Sequence, residues 1–185
     1  MRHENTLDLT SAALVVIDMQ DGFRSVISDF AEITMRIALM VHAAQFLKVP
    51  VLVTEQYPKG LGETADELRA VLPSDVAPFV KTAFSACGAP EFVAALSATE
   101  ARHVIVCGIE AHVCVNQTTH DLLADGYRVH LLTDCIASRD AHNREAALVK
   151  MFASGALPAT TEMVLFELLR DAGHHQFKNI QRLIK

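Results

Sequence analysis

Basic residues are in short supply. Lys and Arg number 16 against 22 Asp and Glu, for a net charge of −6 at pH 7. With no Lys/Arg stripe in the chain, this balance argues against nucleic acid or an anionic membrane surface as a main partner. Long apolar runs are missing too. The longest are strand-sized, so no membrane span is predicted. The N-terminal stretch MRHENTLDLTSAALVVIDMQ carries acids ahead of its apolar segment and no small-residue cleavage pattern behind it, so no secretory signal is read. Cysteine is sparse, with Cys87, Cys107, Cys114 and Cys135 the only four. A chain of 185 residues, 51% apolar and 21% charged, can bury an ample core. It needs no disulfide staples, and reduced thiols in a cytoplasmic setting are expected. Nucleotide fingerprints of the GxGxxG or GxxxxGK[ST] type are absent, and the histidines form no HExxH. Dehydrogenase, P-loop and zincin readings therefore have no support.

What is present is a series of short, continuous apolar runs: Ala13–Ile17, Val49–Val53, Phe79–Val80, Val104–Cys107 and Val129–Leu132. They lack polar alternation, the mark of strands buried on both faces in a parallel sheet. Helix-like stretches lie between them, at Ala31–Leu47, Pro90–Ala98, Cys114–Ala124 and His142–Ala153. A last strand–helix unit is read at Leu157–Thr161 and Thr161–Arg170, with Thr160 or Thr161 as cap. The alternation predicts right-handed crossovers and a doubly wound, mostly parallel α/β sheet of about six strands. Residues 1–185 are read as a single domain with an amphipathic tail at about 174–185, docked on the body or on a neighbouring subunit. Tyr57–Thr64, YPKGLGET, is the one long stretch that reads as a flexible loop.

Open α/β sheets bind ligands at the carboxyl ends of their strands. Asp18 closes the first run, Lys81 the third, and Cys107–Gly108 the fourth. Taken singly, each has a plain structural reading: Asp18 a helix cap or salt-bridge partner, Lys81 a solvated strand end, Cys114 a small buried hydrophobe. Position changes the weight of Cys114. Gly108 permits an unusual turn after the strand, and Cys114 then falls near a helix start, where a thiol pKa is lowered. The joint reading is a thiol nucleophile, a carboxylate general base and a supporting lysine. Cys107 is expected buried and inert, and Cys135 in the core or behind the site. A Cys107/Cys114 metal or redox pair lacks the CxxC spacing.

The ordered segments LVVIDMQDGF, VTEQYPKGLGET, FVKTAFSA and CGIEAHVCVNQTTHDLLADGYRVHLLTDCIASR resemble the isochorismatase-like cysteine hydrolases, on their YcaC-like side, over nearly the whole chain. The resemblance implies a three-layer α/β/α Rossmann-like fold and a triad on Asp18, Lys81 and Cys114. It also implies a cis peptide at Ile109–Glu110 and an oxyanion hole from the backbone N–H groups of Glu110 and Cys114. Gln20 and Phe23 match a DxQxxF pattern and line or support the pocket, in which Gln56 and Phe84 are also placed. Glu110 departs from the small residue of nicotinamidases. It either points out of the pocket or changes what fits there. Thr54, Glu55, Gln56 and Tyr57 stand where metal-binding relatives carry Asp-x-His, so no metal and no cofactor are expected. A thiol nucleophile favours cleavage of an amide-type C–N bond in a small molecule. The alternatives are ester or vinyl-ether substrates, a non-catalytic regulatory pocket protein, and a thiol redox sensor. A homo-oligomer, dimer or larger, is implied.

Overall fold

The structure is a computed structural model that describes residues 3–185. Six parallel strands form one sheet in the order β3-β2-β1-β4-β5-β6: β1 (Ala12–Ile17), β2 (Val51–Gln56), β3 (Phe79–Lys81), β4 (His103–Ile109), β5 (Arg128–Ala137) and β6 (Leu157–Ala159). Chain order reverses between β1 and β4, so a crevice opens at their carboxyl ends. The expected doubly wound, Rossmann-like α/β/α architecture is the one observed.

The unbroken apolar runs have a direct structural cause. In β1, Ala12, Leu14 and Val16 face one buried cluster, while Ala13, Val15 and Ile17 face another. Side chains alternate across a strand, so a strand covered on both faces must be apolar at every position. The first cluster lies under α1 (Phe30–Leu47) and under α7 (Thr161–Leu169), which follows α2 to α6 in the chain. The second takes in α4 (Pro90–Ala98), α5 (Asn116–Ala124) and α6 (Ala141–Ala153). Two short helices, α2 (Pro58–Leu61) and α3 (Asp66–Arg69), complete the β2–β3 connection. Helix α1 is long and apolar enough to cross a membrane by length and composition. Its Phe30, Ile33, Ile37, Met40, Val41, Ala44 and Leu47 are nevertheless buried on the sheet, as in a core helix.

Element types match the sequence reading, and several limits move. Strand β2 starts at Val51 rather than Val49, because Lys48 closes α1 in a left-handed conformation, φ 58°. Strand β5 runs on past Leu132 to Ala137 and so takes in Cys135. Between the pairs Val106–Leu131 and Gly108–Ile136, β4 advances two residues and β5 five, a wide bulge. Hydrophobicity alone ends the strand at Leu132, because Thr133 and Asp134 break the apolar run. Thr160 caps α7 through the Met163 N–H, as expected. The tail forms α8 (Phe177–Leu183), with Ile180 buried and Phe177, Leu183 and Ile184 packed on the first cluster.

Tyr57–Thr64 is not a flexible loop. Pro58–Leu61 is helical, and the stretch is tied down at both ends. Gln20 Nε2 donates to the carbonyls of Gln56 and Gly62 at 3.0 and 2.6 Å. The buried Glu55 carboxylate accepts from Thr64 N and Oγ1 at 2.6 and 2.7 Å. The buried side chains that fix it, Gln20 and Glu55, lie outside the stretch itself.

Candidate active site

Asp18 is the first residue beyond β1 and is fully buried. Its φ of 50° lies in the left-handed region, uncommon for a residue with a side chain. Its N–H donates to the Thr54 carbonyl at 3.2 Å, and Thr54 Oγ1 donates to its Oδ1 at 2.7 Å. Lys81 ends β3 and donates to Asp18 Oδ2, also at 2.7 Å. The same ammonium meets Gln56 Oε1 at 2.8 Å and the carbonyls of Phe84 and Ala83 at 3.0 and 3.3 Å. A buried ion pair is costly unless its remaining donors and acceptors are met, and these contacts meet them.

Strand β4 brings in the third group. Gly108 has φ 118°, and a Cβ there would stand 2.0 Å from the Ile17 carbonyl oxygen, so only glycine lets β4 pass this close to β1. The Ile109–Glu110 peptide is cis, as the resemblance implied. A single π-helical turn, Ala111–Val115, follows and carries Cys114. Val113 and Val115 both donate to the Glu110 carbonyl, at 3.1 and 3.2 Å, and this closes the turn. Ile17 pairs with Gly108, so this turn follows β4 next to the end of β1, and Asp18 and Lys81 both influence the Cys114 thiol electrostatically.

The expectation of a helix-lowered thiol does not hold. Burial pushes Cys114 up to about 12, Asp18 adds to the rise, and Lys81 offsets part of it. Cys114 precedes the first residue of α5 rather than capping it, and desolvation of a thiolate outweighs the helix end.

Glu110 is buried, and its Oε2 accepts from both the N–H and the Nε of Arg139, at 2.9 and 3.0 Å. Of the expected pocket residues, Gln20 is a buried strut whose Oε1 also accepts from Gln56 N at 2.8 Å. Gln56 faces Lys81, and its Nε2 donates to the Thr82 carbonyl at 2.8 Å. Phe23 packs on the α1 side. Phe84 is exposed beside the lysine that its carbonyl holds. Sequence reasoning gave Thr54 no part in the site; it is the first polar residue after the apolar run Val49–Val53, and that strand-end position was the available signal.

Cys107 and Cys135 lie in the cluster on the opposite face of the sheet from Cys114. The sheet therefore separates Cys107 from Cys114. Cys135 Sγ lies 3.2 Å from Thr161 Oγ1 in the core, and all four thiols are free. A groove of about 450 Å³ opens at the other end of β2, between Lys48–Leu52 and Pro73–Phe79.

Fold and cluster together define a doubly wound α/β protein with an acid, a lysine and a thiol gathered beside the point where strand order reverses. The Isochorismatase domain family matches residues 12–163, and the chain belongs to that family. Isochorismatase domain-containing protein 2 of Macaca fascicularis is 44% identical over 95% of this chain and 83% of its own length. A solved structure of the MAR1 ribonuclease from Caenorhabditis elegans, 41% identical, superposes with a TM-score of 0.93 over 97% of this chain and 92% of that one. YcaC from Pseudomonas aeruginosa, solved with hexane-2,5-diol and covalent acrylamide, is 27% identical. It has a TM-score of 0.85 over 100% of this chain and 98% of its own.

Proposed function

We propose that this protein is a cysteine hydrolase that cleaves an amide-type C–N bond in a small molecule, with Cys114 as nucleophile, Asp18 as acid and base, and Lys81 as electrostatic support. The observation that carries the reading is the buried Lys81–Asp18 pair, 2.7 Å apart, with Cys114 on the π turn that leaves β4, the strand paired with β1. Cys114 Sγ attacks the carbonyl carbon as its proton passes to Asp18. The oxyanion is held by the N–H groups of Glu110 and Cys114. The C–N bond then breaks and the amine leaves with the Asp18 proton. Water adds to the thioester, gives a proton to Asp18 and displaces the thiol, which regains that proton. A thiol held up to about 12 needs such a base within reach.

The covalent acrylamide on P. aeruginosa YcaC supports the nucleophile part of this reading, because thiols capture acrylamide by addition to its C=C bond, with the amide left intact. A cytoplasmic setting goes with four unpaired thiols, and a homo-oligomer goes with exposed apolar side chains such as Met35, Val80 and Val149.

The test is ammonia or amine release from a panel of small amides and ureido compounds, wild type beside Cys114→Ala. Esters and oligoribonucleotides are included, the latter because of the C. elegans relative's name. Release that falls at least about 10³-fold in Cys114→Ala carries the reading. Covalent capture must also be lost in Cys114→Ser and kept in Cys107→Ser. Hydrolysis of RNA that survives Cys114→Ala overturns the reading. An inert panel with an unreactive Cys114 leaves the non-catalytic pocket protein.

A further inference from the structure

The wide bulge in β5 has a consequence at the turn after β4. Without extra residues, β5 would keep step with β4 and reach its end early. With them, Ile136 and Ala137 pair with Gly108 and Ile109. Ser138 and Arg139 are then delivered beside the turn that carries Cys114. Ser138 Oγ lies 2.9 Å from His112 Nδ1, and Arg139 makes its two bonds to Glu110 Oε2. The bulge is itself clamped from α6. Arg144 Nε donates to the Ile136 carbonyl at 2.7 Å, and its Nη2 donates to the Thr133 carbonyl. Asp140, the residue after Arg139, caps the same helix through the N–H groups of His142 and Asn143.

Glu110 is therefore held twice. Its carbonyl closes the π turn, and its carboxylate is fixed by Arg139. The carboxylate side chain is 6% exposed, whereas the Arg139 side chain is 57% exposed. The arginine acts from outside on a group the fold has buried.

We propose that Arg139 is a positioning residue: through Glu110 it fixes the turn that presents Cys114 and the N–H groups beside it. The inference rests on the reading of Cys114 as a nucleophile. Reaction geometry is sensitive to displacements of an ångström. Loss of Arg139 also takes an ion partner from the buried Glu110 carboxylate and lowers stability, so its effect on chemistry is read well below the melting transition.

The experiment is the rate of Cys114 alkylation by acrylamide across a pH series, followed by intact mass and peptide mapping, with thermal melts of each variant. At a temperature well below the melting transition of every variant, the rate in Arg139→Ala falls about tenfold or more, with the shape of the pH profile unchanged. Arg139→Lys, which keeps a charged donor, returns most of the rate. An Arg139→Ala protein that alkylates at the wild-type rate overturns the inference and leaves the nucleophile reading standing. So does a loss that tracks a fall in melting temperature and is not rescued by lysine. A wild-type Cys114 no faster than Cys87 overturns the nucleophile reading and the inference with it.

Discussion

Lys81 Nζ sits 2.7 Å from Asp18 Oδ2, with the two side chains 1% and 0% exposed. The pair joins the ends of two strands that are not neighbours, since β2 lies between β1 and β3. Thr54 and Gln56 of β2 each bond one member of it. The ion pair is thus built into the sheet as well as into the site.

Lys81→Met should accordingly destabilise the fold by about 3–5 kcal/mol, because it strands a buried carboxylate. Asp18→Asn with Lys81→Met removes both charges and should recover most of that loss. Urea unfolding of the single and double variants measures the coupling. Near-additive losses would contradict it.

Thiolate absorbance should stay flat where free thiols ionise. Cys87 is pushed up to about 11 and Cys114 and Cys135 to about 12, and Cys107 is raised as well, with burial the first cause for each. A thiol whose pKa is higher folded than unfolded keeps its proton more firmly in the native state. It adds stability below its ordinary value near 9, and that contribution is lost as pH climbs through the folded values. Native protein at pH 9 to 10 should show little thiolate signal until denaturant is added. A full cysteine titration in that range without unfolding would contradict the assignment.

At the other end of the sheet, His103 Nδ1 and His130 Nε2 lie 3.1 Å apart, and both rings are buried. Burial lowers both pKa values, His130 to about 4. His103 lowers His130 further by proximity, and Arg128 lowers both. Asp8 and Glu167 oppose it at His103, while Arg102 adds to it. A histidine lowered by folding gives stability that is whole above 6.5 and is lost as pH falls toward 4. His130 carries at most about 3 kcal/mol of this. Denaturant midpoints between pH 7 and 4 should fall less steeply in the double variant His103→Leu/His130→Leu than in wild type. Parallel slopes would rule the pair out as the acid-sensitive element.

Gly108→Ala should prevent native packing of β4 on β1, with a loss above about 3 kcal/mol, because the new methyl meets backbone at a left-handed φ. Gly126→Ala is the comparison. It also has positive φ, 86°, but open space around its Cβ, so it should lose less. Equal losses would mean that backbone conformation alone, and not the approach to Ile17, requires the glycine.

The sheet was legible because burial on both faces forces unbroken runs such as ALVVI and VIVC, and the helices because apolar spacing repeats between them. Asp18, Lys81 and Cys114 were legible for a related reason: each interrupts or follows such a run at the end where open sheets bind ligands. The rest was not, because it depends on pairing across distance. The bulge in β5 follows from the register of Gly108 with Ile136, which no local pattern records. The partnership of Glu110 with Arg139 spans 29 residues. The state of the Cys114 thiol depends on how much water the assembled layers exclude, and there proximity to a helix misled.

Asp18 and Lys81 stand 63 residues apart in the chain, and Cys114 comes from yet another strand–helix unit. No contiguous fragment holds the arrangement, and each member reaches the others only when strands at the centre and edge of the sheet are in register. Closing such distant contacts is what slows folding in parallel sheets. Capture of Cys114 that depends on Asp18 and Lys81 would therefore report assembly of the whole sheet rather than formation of any one helix.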